Sequence, residues 1–290
     1  MRFFGKICAM VAVAALPAAC GHTLSHDRVA APQSGSPSLS AYCRAIDYAD
    51  TAMIHNEDSL SAHVAVIARL MQRCDSAEAE RALILFFSSI KHDPEALSIA
   101  IRLGDRFLND PASTLRDDAA YIRWLETLLA VDSLPDYVRV IAEDRRLSAL
   151  RNCPGSEAAD FQFEERVSGE VRSLSDLSAE RILLLFYDPD CFHCGEVLDS
   201  IACDTAVADR LATDRLVVIA IDAESDKKLW ERTCRDLPDK WVVGYDLSGV
   251  IESELYDLQD LPSIYLLDKS RRVIHRNPAL HDLLISLRSF

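Results

Sequence analysis

The sequence predicts an all-helical domain followed by an α/β domain with a mixed sheet. Apolar residues recur at three- and four-residue steps between about residues 41 and 150, which is the spacing of a buried helix face. Beyond residue 151, short apolar segments of strand composition alternate with helical ones. At the end of one such strand a helix begins with Cys191 and Cys194, which are separated by two residues. The chemistry of the chain is therefore expected in the second domain.

Length and charge restrict the function before any motif is considered. The chain has 290 residues, 49% of them hydrophobic, which is enough for two domains with ordinary cores. Its formal charge of −15 argues against a nucleic-acid partner, because nucleic acids require a basic face.

Residues 1–20 have the pattern of an export signal. Arg2 and Lys6 precede an apolar, alanine-rich run that is too short to span a bilayer as a mature helix. Small residues before Cys20 resemble a bacterial lipobox, in which the cysteine becomes the lipidated first residue of the mature protein. Pro17 departs from that motif, which usually has Leu there. We expect an exported, membrane-anchored lipoprotein facing the periplasm, with ordinary secretion as the alternative.

The next two segments are a tether and the helical domain. Residues 21–40 are rich in Ser, Pro, Ala and Gly without periodicity, which is typical of a flexible spacer. Residues 41–150 predict five or six helices. Asp93-Pro94 and the segment 110–113 interrupt the pattern, with Asp or Ser as expected caps and Pro in a first turn.

The histidines and paired carboxylates of the helical domain show no spacing for metal ligands or for acid–base chemistry. We expect them on solvated helix faces. These residues are His55, His63, His92, Asp117 and Asp118.

The turn signal at 152–155 separates the helical domain from the second domain, residues 151–290. The predicted elements are, in chain order, a hairpin of strands 161–163 and 171–174, strand 182–187, helix 191–202, helix 206–211, strand 216–221, helix 226–234, strand 241–244, helix 250–256, a strand after Pro262, strand 273–275 and helix 278–287. This order, with the cysteines at the first strand–helix junction, is that of a thioredoxin fold.

Cys191 and Cys194 have the spacing of a redox pair. Unpaired N–H groups and the helix dipole favour an anion at a helix N-terminus, so Cys191 is expected to be the nucleophilic thiolate. Cys194, one turn further, is placed to resolve a mixed disulfide. His193 between them is a second polarising group, because a partly charged imidazole stabilises the neighbouring thiolate.

Cysteines with this spacing also occur in zinc sites, in c-type haem sites and in structural disulfides. A zinc site lacks a second pair of cysteines or histidines, and a c-type haem site would need histidine where Gly195 stands. We therefore expect no metal and no cofactor. A purely structural disulfide remains open.

Export would place the other cysteines where disulfides persist. Cys8 would leave with the signal, and seven cysteines remain after Cys20, so at least one thiol is free or pairs between molecules. Cys43 with Cys74 and Cys203 with Cys234 are plausible bridges, and Cys153 is left over, although spacing alone does not define connectivity.

Residues 152–290 resemble the TlpA/ResA group of extracytoplasmic thiol–disulfide oxidoreductases. The resemblance rests on the segment FYDPDCFHC, on residues 261–268 (LPSIYLLD) and on the closing strand and helix. Residues 106–122 and 152–161 are similar to an uncharacterised helical domain that precedes such thioredoxin domains in bacterial, often lipid-anchored, proteins.

The resemblance implies a redox pair at Cys191 and Cys194, with Pro262 as a cis-proline beside it. It also implies that the Leu261 backbone pairs with an extended substrate chain. Two departures concern acid groups: Asp190 replaces the usual Trp and would oppose the thiolate, and Leu185 replaces the buried acid. Glu196 is the nearest substitute for that acid, with a merely solvated glutamate as the alternative.

The expected function is that of a cell-envelope thiol–disulfide oxidoreductase. Its partners would be protein thiols or disulfides and an unidentified electron donor. The alternatives are a lipid-anchored binding or scaffold protein with a non-catalytic thioredoxin fold, and a thiol peroxidase.

Overall fold

The computed structural model describes residues 38–224, 226–258 and 260–290. The predicted signal, Cys20 and the tether up to residue 37 lie outside the described residues. Within the described part of the chain, no helix is long and apolar enough to cross a membrane.

The described residues begin with a helical region that ends at Leu150. Its helices are α1 (Leu39–Ala45), α2 (Thr51–Ile54), α3 (Glu57–Met71), α4 (Ser76–Ile90), α5 (Pro94–Gly104), α6 (Asp118–Leu129) and α7 (Asp136–Leu150), with a π-helical turn at Asp105–Asn109 after α5. The prediction of five or six helices was too low, because α2 is a single turn capped by Asp50 and α1 begins inside the predicted tether.

One of the two predicted helix starts is confirmed. Asp93 caps α5 and Pro94 lies in its first turn. The expectation for residues 110–113 was wrong, since α6 begins only at Asp118 with Asp117 as its cap. The Asp110 carboxylate accepts the N–H of Ala112 at 2.8 Å, which closes a tight turn before a loop instead of opening a helix.

The helical region has an aromatic core around Trp124, which is fully buried. Its ring lies 5.4 Å from that of Phe86 and 4.9 Å from that of Phe87, measured between centroids. Gly104 lets the backbone of α5 approach this indole closely, because a Cβ there would lie 2.6 Å from Trp124 Nε1. The periodic apolar residues thus form one closely packed interior.

The second region is built from seven strands and four helices among the described residues. These are β1 (Gln162–Glu165), β2 (Val171–Ser173), β3 (Arg181–Tyr187), α8 (Phe192–Ala202), α9 (Thr205–Ala212), β4 (Leu216–Asp222), α10 (Lys227–Thr233), β5 (Val242–Asp246), β6 (Ser263–Asp268), β7 (Val273–Arg276) and α11 (Leu280–Arg288). The predicted hairpin is confirmed as β1 and β2, which pair antiparallel.

The seven strands form one mixed sheet in the order β2-β1-β5-β4-β3-β6-β7. Strand β3 lies inside it, parallel to β4 and antiparallel to β6. Leu183 and Leu185 face the core beneath α8, whereas Leu184 and Phe186 face the core on the opposite side. An apolar run buried on both faces therefore carries the chain to the cysteine pair.

The short helix predicted for residues 250–256 is absent from this described segment, which forms turns instead. The Asp246 carboxylate accepts the N–H of Ser248 at 2.9 Å and that of Val250 at 2.7 Å, which favours a turn. Glu254 then adopts a positive φ of 50°, which no α-helix contains.

Buried polar contacts join the two regions. The side chain of Arg276, 1% exposed, lies 2.7 Å from Asp118 of α6 and 3.7 Å from Asp257. Asn152, in a left-handed conformation with φ 46°, donates from Nδ2 to the Leu255 carbonyl at 2.7 Å. The expectation that Asp118 is solvated was therefore wrong, because its carboxylate pairs with the buried Arg276 cation at the contact between the two regions, here called the joint.

The remaining polar residues of that prediction have mixed outcomes. His92 is exposed as expected. His55 is exposed as well, and its ring lies 2.6 Å from the Asp93 carboxylate. His63 is only partly exposed, because its Nδ1 lies 2.9 Å from the Tyr42 hydroxyl of α1.

All seven described cysteines are free thiols. The suggested bridges Cys43–Cys74 and Cys203–Cys234 are thus absent from the described residues. Cys203 is exposed at the end of α8 whereas Cys234 is buried, so those two thiols face different surroundings.

Candidate redox site at the β3–α8 junction

Cys191 lies where the chain leaves β3 and enters α8. A turn forms after the strand, in which the Cys191 N–H donates to the Asp188 carbonyl at 3.1 Å. Cys191 is the N-cap of α8, and its Sγ accepts the N–H of Cys194 at 3.1 Å. The sulfur thus accepts a backbone donor at the end of the helix where N–H groups have no partner within the helix.

Cys194 lies one turn further into α8 and is fully buried. Burial raises the pKa of its thiol to about 12. A backbone hydrogen bond with Asp188 lowers that pKa, while the Cys191 side chain and the Asp188 charge raise it. At neutral pH Cys194 is therefore a thiol that must lose its proton before it can attack another sulfur.

The loop before β6 packs against the partly exposed Cys191. The Leu261–Pro262 peptide bond is cis, as the sequence predicts. Cys191 Sγ lies 3.8 Å from the carbonyl oxygen of Leu261. The structure thus brings together four of the residues singled out from the sequence: Cys191, Cys194, Leu261 and Pro262.

His193 and Glu196 lie on the solvent side of α8. Their side chains are 69% and 59% exposed, and His193 Nδ1 lies 3.8 Å from a Glu196 carboxylate oxygen. Glu196 is therefore placed next to the histidine in solvent, whereas Cys194 lies in the core. Phe192, which sequence reasoning missed, is 81% exposed beside the pair.

A groove of about 480 Å³ lies along the Leu261-Pro262 loop and is lined by His193, although neither cysteine lines it. One side is formed by residues of the second region, including His193, Leu261 and Pro262. The other side is formed by Asp110, Pro111 and Ala112, which follow α5 and its π-helical turn. The helical region thus borders the same groove as the cis-proline loop that packs against Cys191.

Two comparisons bear on the helical and the second region. Residues 39–152 match the family model of a domain of unknown function, DUF5106. A thioredoxin-like protein from Bacteroides caccae has a similar structure, with a TM-score of 0.77 at 24% identity over 89% of this chain and 96% of that one. The chain has the thioredoxin fold.

Two other solved structures match about half of this chain. A conserved protein of unknown function from Bacteroides fragilis is 32% identical, over 46% of this chain and 98% of that one, with a TM-score of 0.44. The thioredoxin domain of a thiol-disulfide oxidoreductase from Bacteroides vulgatus is 16% identical, over 48% and 97%, with a TM-score of 0.42. No curated protein sequence matches the chain.

One ionisable residue that acts on the Cys194 thiol was not selected by the sequence analysis. Leu185, at the position of the usual buried acid, is fully buried in β3 and has no ionisable group. Asp188, the residue that follows β3, carries a charge that raises the pKa of the Cys194 thiol. The sequence signal was an acid three residues before the first cysteine.

No group of three or more side chains able to hold a metal ion occurs in the described part of the chain.

Proposed function

We propose that the protein is a cell-envelope thiol–disulfide oxidoreductase that exchanges electrons with partner proteins through Cys191 and Cys194. The observation that carries this proposal is the unequal placement of two neighbouring sulfurs. Cys191 is partly exposed and accepts a backbone N–H, whereas Cys194 is fully buried one turn away. A partner protein can therefore reach the Cys191 sulfur, and Cys194 is placed to react with Cys191.

The reaction is a pair of exchanges between sulfurs. The Cys191 thiolate attacks one sulfur of a partner disulfide, that disulfide breaks, and the other partner sulfur leaves as a thiolate. Cys194 then loses its proton and attacks Cys191 Sγ. The Cys191–Cys194 disulfide forms, and the partner leaves with two electrons gained. A partner dithiol is oxidised by the same two exchanges in reverse, which reduces the Cys191–Cys194 disulfide. After reduction of a partner disulfide, a dithiol donor returns Cys191 and Cys194 to the reduced state.

The second exchange needs a proton acceptor, because burial keeps Cys194 protonated. Leu185 offers none. Asp188 follows β3 and accepts the Cys191 N–H on its carbonyl at 3.1 Å, and its charge acts on the Cys194 thiol, so we propose it as the proton acceptor. The side chains of His193 and Glu196 are both exposed to solvent, where a partner protein would approach.

The proposal is tested by trapping the intermediate. The Cys194→Ser variant should form a stable mixed disulfide with a reducible protein such as insulin, because the resolving sulfur is missing. The Cys191→Ser variant keeps the buried thiol and should form none. The measurement is mass spectrometry of the adduct, mapped to Cys191.

Two outcomes would contradict the proposal. If the wild type forms a Cys191–Cys194 disulfide that neither insulin nor glutathione exchanges with, the disulfide is structural and the scaffold alternative stands. If peroxide oxidises Cys191 rapidly without Cys194 taking part, the protein is a peroxidase instead.

Export and anchoring belong to the same proposal and rest on the sequence pattern at residues 1–20 and Cys20. Mass spectrometry of the mature protein should find Cys20 at its N-terminus carrying acyl groups. An N-terminus without lipid would support ordinary secretion.

A further inference from the structure

We propose that the helical domain forms half of the partner-binding groove and selects cysteine-containing segments that carry a basic residue. This inference rests on the proposed function, since it concerns the partner of the same redox pair. It gives the DUF5106 domain a role in recognition.

The groove lies between the helical domain and the thioredoxin domain. Its two walls are the turn Asp110–Ala112 of the helical domain and the Leu261-Pro262 loop of the thioredoxin domain. The second wall contacts Cys191 Sγ through the Leu261 carbonyl at 3.8 Å. A chain that brings its own sulfur to Cys191 along this loop therefore meets the helical domain.

Hydrogen bonds tie the two walls of the groove together. Arg116, just after the helical wall, donates to the Asn277 carbonyl and, at 3.0 Å, to that of Arg276. Asn277 in turn accepts the Ile264 N–H on its side-chain oxygen at 2.7 Å and donates its own N–H to the Ile264 carbonyl at 2.6 Å. Ile264 lies two residues after Pro262. The spacing of the walls is thus set by a chain of polar contacts.

The helical wall is also braced from within. The Asp110 N–H donates to the Asp105 carbonyl at 2.9 Å, and Ser113 Oγ donates to the Phe107 carbonyl at 2.6 Å. These bonds join the turn to the π-helical segment after α5. A preformed groove reduces the ordering cost of binding an extended segment.

Both walls of the groove carry negative charge. Each wall contributes one exposed carboxylate, Asp110 and Asp260. No lysine or arginine occurs among the described residues that line the groove, where His193 is the only basic group. An occupant with Lys or Arg next to its cysteine is therefore favoured over one with Glu, an electrostatic preference that salt weakens.

The experiment compares two variants of the helical wall with two matched controls. Ala112→Trp fills the groove, and Asp110→Asn removes the charge while keeping an oxygen for the turn. Ala49→Trp and Asp47→Asn are the controls. Ala49 is exposed and donates to Asp47 Oδ1 at 3.1 Å, which reproduces the same turn between α1 and α2, away from the groove lining.

The substrates are a neutral small disulfide, dipyridyl disulfide, and two peptide disulfides with Lys or Glu on both sides of the cysteine. Ala112→Trp should lower kcat/KM for both peptides at least about tenfold more than it lowers kcat/KM for dipyridyl disulfide, which does not need the groove. Asp110→Asn should reduce the preference for the Lys peptide about two- to fivefold at low salt. Both controls should match the wild type.

A second measurement does not depend on catalysis. Peptides with Ser in place of Cys should bind the wild type more tightly than the Ala112→Trp variant, as measured by fluorescence anisotropy. Equal peptide rates and affinities in wild type and Ala112→Trp would overturn the inference, while a normal dipyridyl reaction would leave the redox function standing. A wild type inert to dipyridyl disulfide would refute the redox function, and the Ser peptides would still decide about the groove.

Discussion

Cys43 in the helical domain and Cys194 in the thioredoxin domain are both fully buried thiols. Burial raises the pKa of each to about 12, with the Glu78 charge adding to the shift at Cys43 and an opposing backbone hydrogen bond at Cys194. The difference lies in their neighbours. Cys194 donates its N–H to a second, partly exposed sulfur, whereas Cys43 packs in a helical core. Burial and a raised pKa therefore do not make a thiol functional without an accessible partner.

The same contrast holds for the two domains as wholes. The thioredoxin domain places its reactive groups through local structure, at a strand end and a helix start. The helical domain contributes through position, by a turn that faces the redox loop and a carboxylate that pairs with Arg276. Three predictions would break or sharpen this comparison.

The largest expected difference is between the two buried thiols under oxidation. After treatment with diamide, unfolding and alkylation, Cys43 should carry the alkyl label and Cys194 none, because only Cys194 has a neighbouring thiol to pair with. In the reduced native protein at pH 8, iodoacetamide should label Cys191 and spare both buried thiols. With a pKa of about 12, fewer than about one in a thousand Cys194 thiols is ionised at that pH, and labelling should rise only as the pH approaches 12.

Peptide mass spectrometry reads both labels. The Cys191→Ser variant is the control, since it should make Cys194 behave as Cys43 does. Loss of Cys43 to a disulfide under the same mild oxidation would contradict the comparison.

The next effect concerns the joint between the domains. Asp118→Asn should lower the free energy of unfolding by about 3 kcal/mol, because Arg276 is a buried cation that would lose its nearest carboxylate, 2.7 Å away. Glu126→Gln on the same helix is the matched control. Its partner Arg146 lies 3.2 Å away at the surface, so the cost should stay below about 1 kcal/mol. Urea titration measures both, and equal costs would refute the joint as a buried ion pair.

The smallest effects are expected from one glycine in each domain. Gly104→Ala should destabilise the protein by about 1–3 kcal/mol, since the new methyl would meet the buried Trp124 indole. Gly195→Ala in α8 should stabilise it by up to about 1 kcal/mol, because nothing lies within 4 Å of the added carbon. Thermal unfolding should show shifts of opposite sign. Stabilisation by both variants would mean that backbone propensity outweighs the clash with Trp124, and destabilisation by both would mean that α8 has no room for the added methyl.

Much of the fold follows from local patterns. The apolar run at 182–187 and the cap at Cys191 were predictable, since each depends on residues within a few positions of one another. Residues 250–256 were mispredicted because the Asp246 side chain captures two backbone N–H groups and overrides a helical pattern. The start predicted at 110–113 failed for a similar reason, a side chain that closes a turn.

The sequence by itself determined the strand, the turn and the helix start that present two cysteines one turn apart, because propensity and capping act within a single segment. Only the tertiary structure decided the raised pKa of Cys194, the pairing of Asp118 with Arg276 and the groove between the Asp110 turn and Pro262. Each of these depends on what surrounds a side chain after folding. Asp118 and Arg276 are 158 positions apart in the chain, and no local pattern encodes a contact at that separation.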